Sequence, residues 1–200
     1  PRDEKRRRII DAAVEVFAER GFYNARVSEV ADAAGVAGGT IYLYFKNKDD
    51  LLISLFEEHM ELIVSYARRS LDGIEDPKQR LKSFIEMYLQ WVMEQPSLAE
   101  VLTVELRQSS KFMREYKPKK LIEFLGIIDD LYIYGRDRGE FRPDLDPKVF
   151  QRVLFGSLDE LSVLWVSCRR KGIPAPYDLH EVAEDVFKIC IGGVAVERQS

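Results

Sequence analysis

Cysteine, histidine and long apolar runs are scarce in this sequence. Its 200 residues include two cysteines and two histidines, and 46% are hydrophobic. Cys168 and Cys190 lie inside apolar helical patterns, which indicates buried thiols in a reducing compartment rather than a disulfide framework. No run approaches the roughly 18 consecutive apolar residues that a membrane span needs, and the N-terminal segment lacks a signal-peptide core. We therefore expect a cytoplasmic protein without a membrane partner.

The two histidines also weaken the case for catalysis or metal binding. His59 and His180 are far apart in sequence, and neither has partners at metal-ligand spacing. Adjacent carboxylates occur within helical patterns, where solvation or capping is their usual role, and no glycine-rich phosphate loop follows a strand. The sequence therefore predicts no enzyme, no catalytic residues, no metal and no cofactor.

An excess of basic charge is missing as well. The formal net charge is -4, with nine basic and nine acidic residues in 1–50 and 21 against 25 in the remainder. Neither part is basic overall, so a nucleic-acid partner would have to bind a local patch.

What the sequence has instead is helical periodicity, beginning with three short helices. The first ends at Gly21, which acts as its C-terminal cap. Ser28 is predicted to open the second helix, which Gly35 ends, and the third covers about 38–44.

Longer helices follow. Asn47 is predicted to cap a helix that runs to about Leu71, and Asp76-Pro77 and Asp146-Pro147 each pair an N-cap with a proline at the first helical position. Further helices are expected over about 118–139, 147–170 and 178–191. The sequence predicts an all-α fold of about nine helices. A three-helix head in residues 1–46 is joined by the long helix to a helical ligand-binding and dimerisation domain in residues 47–200.

The second and third helices have the layout of a helix-turn-helix, whose second helix enters the major groove of DNA. Ile41 and Phe45 are expected to pack inward. A phenol or hydroxyl can bind phosphate, leucine can meet a thymine methyl, and glycine lets the backbone approach closely. The predicted DNA-binding residues of this motif are Ser28, Gly38, Gly39, Thr40, Tyr42, Leu43 and Tyr44.

Basic side chains flank the motif. Lys46 and Lys48 stand at the start of the fourth helix, whose N-terminal dipole also favours phosphate, and Arg6 belongs to a basic run in the first helix. Such a run is usually a solvated face, and short helix pairs with a glycine turn are common in helical proteins. The pattern by itself leaves both interpretations open.

Specific motifs favour the DNA-binding interpretation. The segments Val27–Ala31 (VSEVA) and Gly39–Leu52 (GTIYLYFKNKDDLL) closely resemble the signature of the TetR family, over roughly residues 9–56. The resemblance implies a repressor that binds operator DNA through the head and leaves it when a small ligand enters the C-terminal domain. Ala37-Gly38 departs from the pattern, because many members have more polar side chains there.

Two further motifs lie in the C-terminal part. Val104–Ser109 (VELRQS) and Phe155–Leu161 (FGSLDEL), followed by Trp165-Val166, resemble the acyl-CoA-responsive repressors of fatty-acid degradation genes. This resemblance implies that a long-chain acyl-CoA relieves DNA binding. The alternatives are a regulator that senses another hydrophobic ligand such as a drug, or a lipid-carrying helical bundle.

The middle helices are rich in large apolar side chains that either line a ligand tunnel or form the core. Arg107 can pair with Asp159 or Glu105, or meet a thioester or phosphate of the ligand. The predicted ligand-binding residues are Phe84, Met87, Trp91, Leu98, Leu102, Leu106, Arg107, Phe124, Ile128, Phe155 and Asp159.

The last two helices have enough apolar surface to pack inward and also against a second copy. A twofold homodimer would place its recognition helices about 34–36 Å apart or a multiple of it, on a roughly palindromic double-stranded operator. The predicted interface residues are Leu158, Leu161, Trp165, Val186, Ile189 and Cys190.

Overall fold

The computed structural model describes residues 2–196. Its α-helices are α1 (Arg2–Arg20), α2 (Val27–Ala33), α3 (Lys48–Ser70), α4 (Pro77–Glu94), α5 (Pro96–Thr103), α6 (Ser110–Arg114), α7 (Lys119–Asp137), α8 (Pro147–Arg170) and α9 (Leu179–Val194). Two 3₁₀ helices cover Gly38–Leu43 and Glu105–Gln108. Extended pairing within 2–196 is limited to one isolated bridge, between Phe141 and Ala195. The predicted all-α fold is confirmed.

Several helices begin where the sequence predicts, because their capping interactions are local. The Asp76 and Asp146 carboxylates each accept a backbone N–H from two residues further on, at 2.7 and 2.8 Å. Pro77 and Pro147 are the first helical residues after them. The side-chain oxygen of Asn47 likewise accepts a backbone N–H at 2.8 Å at the start of α3. Each contact satisfies an amide that the first helical turn leaves without a partner.

The predicted cap of α2 is wrong. Helix α2 starts at Val27, with Arg26 rather than Ser28 at the N-cap. The backbone N–H of Arg26 donates to the Glu29 carboxylate at 2.7 Å, which is the reach-back half of a capping box. Ser28 therefore lies in the first turn of α2, with its side chain exposed.

By contact, the described chain divides into two compact units, which differ from the predicted division at residue 46. The first contains the residues up to Met60 together with Gln95–Pro118, so α5 and α6 belong with the head. In it, α1 packs against α2 and α5. Its fully buried side chains include Ile9, Phe17, Val30, Ile41, Phe45, Leu51 and Leu55.

The second unit contains Glu61–Glu94 and the chain from Lys119 onward. In this unit α4 packs against α9, α7 and α8. Gly135 is required by packing, because a Cβ atom there would lie 2.2 Å from the ring of Phe141. Phe141 in turn lies 6.0 Å from the ring of Tyr132, whose hydroxyl donates to the carbonyl of Arg142.

None of the helices in residues 2–196 is both long enough and apolar enough to cross a membrane.

Candidate functional site

The helix-turn-helix consists of α2, a turn and the 3₁₀ helix Gly38–Leu43, named here the recognition helix. Gly35 lies in the turn with φ +64°, a backbone conformation that side chains with a Cβ atom rarely adopt. Ile41 and Phe45 are each 1% exposed, so they anchor the recognition helix on the core of the first unit as predicted. The i→i+3 bonds of this helix include Thr40 N–H to the carbonyl of Ala37 at 2.8 Å.

The outer face of the recognition helix is unusually apolar for exposed surface. Tyr42 is 60% exposed and Leu43 is 73% exposed. Thr40 and Tyr44 are half-buried. The guanidinium of Arg2 lies 5.9 Å from the centre of the Tyr44 ring, which adds a cation beside this face.

Gly38 and Gly39 begin the recognition helix, and the fold does not require glycine at either position. Neither has a positive φ, and a Cβ atom added to either would meet nothing within 4 Å in the described part of the chain. Glycine in a helix costs roughly 0.5–1 kcal/mol relative to alanine. A partner that approaches this backbone closely would account for both glycines.

Lys48 is placed differently from the prediction. Its ammonium group donates to the backbone carbonyls of Phe22, Tyr23 and Ala25 at 2.7, 3.1 and 2.9 Å. It also lies 4.7 Å from the centre of the Phe22 ring. Burial lowers the pKa of this lysine, and the charge of Asp49 opposes the shift. With three carbonyl acceptors for its three N–H bonds, the ammonium tethers the loop between α1 and α2 instead of projecting toward phosphate.

Arg6 is also engaged within the first unit. Its guanidinium forms an ion pair with Glu58 and lies 5.3 Å from the centre of the Phe45 ring. Lys46, by contrast, is exposed. Lys46 is therefore the better candidate of these residues for a phosphate contact.

The loop that Lys48 tethers contains a residue that the sequence reasoning missed. Tyr23 is 80% exposed, more than Tyr42 or Leu43 on the recognition helix. Its position after Gly21-Phe22, in a loop fixed by backbone contacts, gives it a defined place on the surface. A large aromatic residue just after a helix-ending glycine was the feature that could have identified it.

On another side of the same loop lies a buried carboxylate. Glu105 is 0% exposed, and it accepts the backbone N–H of Phe22 at 2.6 Å. Gln108 donates its side-chain N–H to the same carboxylate at 2.8 Å. The sequence predicts Glu105 only as one candidate ion-pair partner of Arg107, and its contact with the loop after α1 was not foreseen.

His59 is a further ionisable group of the first unit. Its Nε2 atom is buried and has no hydrogen-bond partner among the described residues. Burial lowers the pKa of this histidine from the ordinary value of 6.5, while Asp11 and Glu58 oppose the shift and Arg7 reinforces it. The folded head therefore favours the neutral imidazole.

The predicted ligand-binding residues divide between the two units. Leu98, Leu102, Leu106 and Arg107 belong to the first, whereas Phe84, Met87, Trp91, Phe124, Ile128, Phe155 and Asp159 belong to the second. In the second unit, the Phe84 and Phe124 ring centres are 5.6 Å apart, and Phe155 lies 6.3 Å from Phe124. The ring centre of Tyr88 lies 6.1 Å from that of Phe124 and 6.4 Å from that of Trp91.

These rings are not equally buried. Phe84 and Phe124 are at most 1% exposed, whereas Trp91 and Phe155 are half-buried. The aromatic cluster of the second unit therefore has a sealed interior and an accessible edge.

Two of the predicted interface residues lie in the core. Leu158 is 0% exposed and Val186 is 7% exposed, because each faces its own unit. Leu161, Trp165 and Cys190 are half-buried, and burial raises the pKa of the Cys190 thiol to about 11. Apolar periodicity could not separate the inner face of a helix from an outer face that is also apolar.

Three of the four exposed large apolar side chains of α8 and α9 lie at positions outside the predicted interface. Val149, Val153 and Leu164 are 60%, 59% and 41% exposed on α8. Ile189 on α9, one of the predicted interface residues, is 76% exposed. We name these four residues the outer stripe.

Within residues 2–196, no group of three or more histidine, cysteine, aspartate or glutamate side chains is arranged to hold a metal ion.

Comparison with family models identifies the class of protein. Residues 9–55 match the model for bacterial regulatory proteins of the tetR family, and residues 56–193 match the model for the C-terminal region of YsiA-like protein. The chain belongs to the TetR family and is a DNA-binding transcriptional regulator of that type.

Individual relatives narrow the resemblance. The fatty acid metabolism regulator protein of Bacillus subtilis strain 168 is 37% identical over 186 residues, which are 93% of each chain. The fatty acid degradation regulator FadR from Bacillus halodurans superposes with a TM-score of 0.86 at 39% identity, over 94% of this chain and 95% of that one. FadR from B. subtilis in complex with stearoyl-CoA gives a TM-score of 0.84 at 36% identity, over 94% and 98%.

Proposed function

We propose that this chain is a homodimeric repressor that binds operator DNA and is released from it by a long-chain acyl-CoA. The observation that carries the proposal is the near full-length similarity to FadR of B. subtilis, whose structure contains stearoyl-CoA. The similarity extends through the C-terminal region, since residues 56–193 match the model for the C-terminal region of YsiA-like protein.

The chemistry of the second unit is compatible with an acyl chain. Its aromatic cluster is sealed inside and accessible at Trp91 and Phe155. Each methylene that leaves water contributes about 0.8 kcal/mol, so a long chain gains substantial affinity without polar contacts. The accessible edge is where we place the apolar part of the ligand.

The head supplies the DNA contacts. Tyr42 and Leu43 project from the recognition helix, and Gly38 and Gly39 leave its backbone open to close approach. The remaining proposed contacts are Ser28, Thr40, Tyr44 and Lys46, together with Tyr23. Hydroxyl and ammonium groups of this kind position a protein on phosphates, while leucine and threonine can meet base edges.

A second copy of the chain is the occupant that we propose for the outer stripe. Its four residues, Val149, Val153, Leu164 and Ile189, are apolar and exposed on the last two helices. A twofold axis brings the same patch of each copy together, and it also gives a roughly palindromic operator.

The experiment is a titration of the protein bound to operator DNA selected from a random pool, followed by fluorescence anisotropy. Stearoyl-CoA, free stearate and free CoA are added separately. Release by the thioester alone supports the proposal. Tight DNA binding that is indifferent to all three leaves a TetR-type regulator whose effector is a different hydrophobic molecule.

Arg107→Ala tests the predicted ligand role of this exposed side chain. If Arg107 meets the thioester or a phosphate, the variant needs more stearoyl-CoA for release while its operator affinity without ligand stays the same. An unaltered response removes Arg107 from the ligand site.

A further inference from the structure

Glu105 belongs to the part of the chain that matches the C-terminal family model, yet its carboxylate lies against the head. It is fully buried and accepts the Phe22 N–H at 2.6 Å, across 83 residues of sequence. A buried charge is costly unless it is well hydrogen-bonded, and a charge-assisted bond of this length is among the stronger ones. The contact therefore fixes the loop after α1 relative to residue 105.

The end of α1 explains why that amide is available. Gly21 adopts φ +77°, and its own N–H closes the helix on the Phe17 carbonyl at 3.0 Å. The next amide, of Phe22, takes no part in the backbone hydrogen bonds that close the helix, and it donates to the Glu105 carboxylate instead. A Cβ atom at Gly21 would also lie only 3.4 Å from the Glu105 carboxylate.

The loop after α1 is held by two side chains of opposite charge, one binding a backbone N–H and the other binding backbone carbonyls. Glu105 accepts the N–H of Phe22, and the Lys48 ammonium donates to the carbonyls of Phe22, Tyr23 and Ala25. The loop presents Tyr23, the most exposed large hydrophobic side chain of the head, to solvent. Its position relative to α3 and to residue 105 is therefore set by two side chains.

A second contact lies four residues further along. The Ser109 hydroxyl donates to the carboxylate of Asp49 at 2.6 Å, in the first turn of α3, and accepts the Phe112 N–H at 3.1 Å. Ser109 is 1% exposed. The segment Glu105–Ser109, named here the junction segment, is thus bonded both to the loop after α1 and to the start of α3.

We propose that Glu105 is a positioning residue for operator binding, and that the junction segment couples effector binding to the head through it. The coupling rests on the proposed acyl-CoA response, whereas the positioning role depends only on DNA binding. Leu106, a predicted ligand-binding residue next to Glu105, is 5% exposed in the same 3₁₀ helix. A ligand that displaces this helix also displaces the carboxylate, and with it the Phe22 amide and Tyr23.

Glu105→Gln tests the positioning role, because glutamine keeps the shape and an acceptor oxygen but loses the charge. Ser97→Ala is the matched control, because the Ser97 hydroxyl joins α5 to α1 by donating to Glu15 at 3.0 Å, a long-range contact of the same unit that lies on the exposed surface. Operator affinity is measured over a range of salt, well below the melting temperature of each variant. Stearoyl-CoA binding without DNA is measured separately.

We expect Glu105→Gln to weaken operator binding about tenfold, because a neutral acceptor holds the Phe22 amide less firmly than a carboxylate does. The salt dependence should stay that of the wild type, because the variant removes no lysine or arginine that neutralises a phosphate. Ser97→Ala should match the wild type. Stearoyl-CoA should still bind Glu105→Gln, but the factor by which it weakens DNA binding should fall several-fold.

Wild-type operator affinity in a folded Glu105→Gln dimer overturns the positioning role. If stearoyl-CoA weakens the DNA binding of Glu105→Gln by the same factor as that of the wild type, the coupling is overturned. If stearoyl-CoA fails to release the wild-type protein, the proposed effector and the coupling are both rejected, and the operator affinity of Glu105→Gln still decides the positioning role. Should Glu105→Gln not fold, Ser109→Ala supplies the same readouts at the second contact of the junction segment.

Discussion

Replacing Lys48 by methionine separates two roles that the sequence could not distinguish. Methionine keeps most of the aliphatic stem over the Phe22 ring but removes the ammonium and its three hydrogen bonds. Lys46→Met is the matched variant, because Lys46 is exposed two residues away. The first change should act on the fold, and the second on DNA binding.

The expected loss of unfolding free energy in Lys48→Met follows from the three hydrogen bonds that the ammonium makes. A hydrogen bond to a charged group contributes about 1.5–3 kcal/mol, but Lys48 is only partly buried, so its three bonds should together contribute toward the low end of that range. We therefore expect Lys48→Met to lower the free energy of unfolding by about 2 kcal/mol in total. Lys46→Met, at an exposed position, should change it by less than about 0.5 kcal/mol.

Chemical denaturation gives the unfolding free energies, and anisotropy titrations at several salt concentrations give the operator affinities. Lys46→Met should reduce the slope of log affinity against log salt by about one for each phosphate that the variant no longer neutralises. Lys48→Met should weaken binding with the wild-type slope. A stable Lys48→Met protein with a reduced slope would refute the internal role and restore the phosphate contact.

Three further changes have distinct readouts. Gly39→Ala should leave the fold as stable or up to about 1 kcal/mol more stable, yet weaken operator binding, because the added methyl has space within the chain but not against DNA. Gly126→Ala, at an equally open position in α7, is the control and should leave DNA binding unchanged. His59 has a lowered pKa, so the unfolded chain takes up the proton first, and the stability it supports is lost as the pH falls from above 6.5 through the folded pKa. Denaturation of wild type and His59→Gln at pH 7.5 and 5 should show a smaller loss in the variant. Ile189→Glu should shift sedimentation from dimer to monomer, whereas Leu158→Ala should destabilise the fold by about 2–5 kcal/mol.

Each of these has a contrary result. Unchanged operator affinity in Gly39→Ala would remove the close approach of DNA to the recognition helix. An equal loss of stability in His59→Gln would assign the acid sensitivity to other groups. A dimeric Ile189→Glu would place the subunit interface away from the outer stripe.

Much of the fold was predictable because helix boundaries depend on neighbouring residues. Asp76-Pro77 and Asp146-Pro147 start helices through contacts with amides two residues away. Gly21 ends α1 because glycine readily adopts a positive φ, and its N–H closes the last turn on the nearby Phe17 carbonyl. Where two local caps compete, as at Arg26 and Ser28, the spacing of residues could not choose between them.

The sequence by itself determined the helical class, most helix boundaries and the membership of the TetR family, because these reside in local caps, periodicity and a contiguous motif. Only the tertiary structure decided that Lys48 binds carbonyls of the loop after α1, that Glu105 binds an amide of the same loop, and that Leu158 faces the core. The physical reason is distance along the chain: a side chain's partner 25 or 83 residues away is set by how helices pack. Charge and periodicity alone do not specify it.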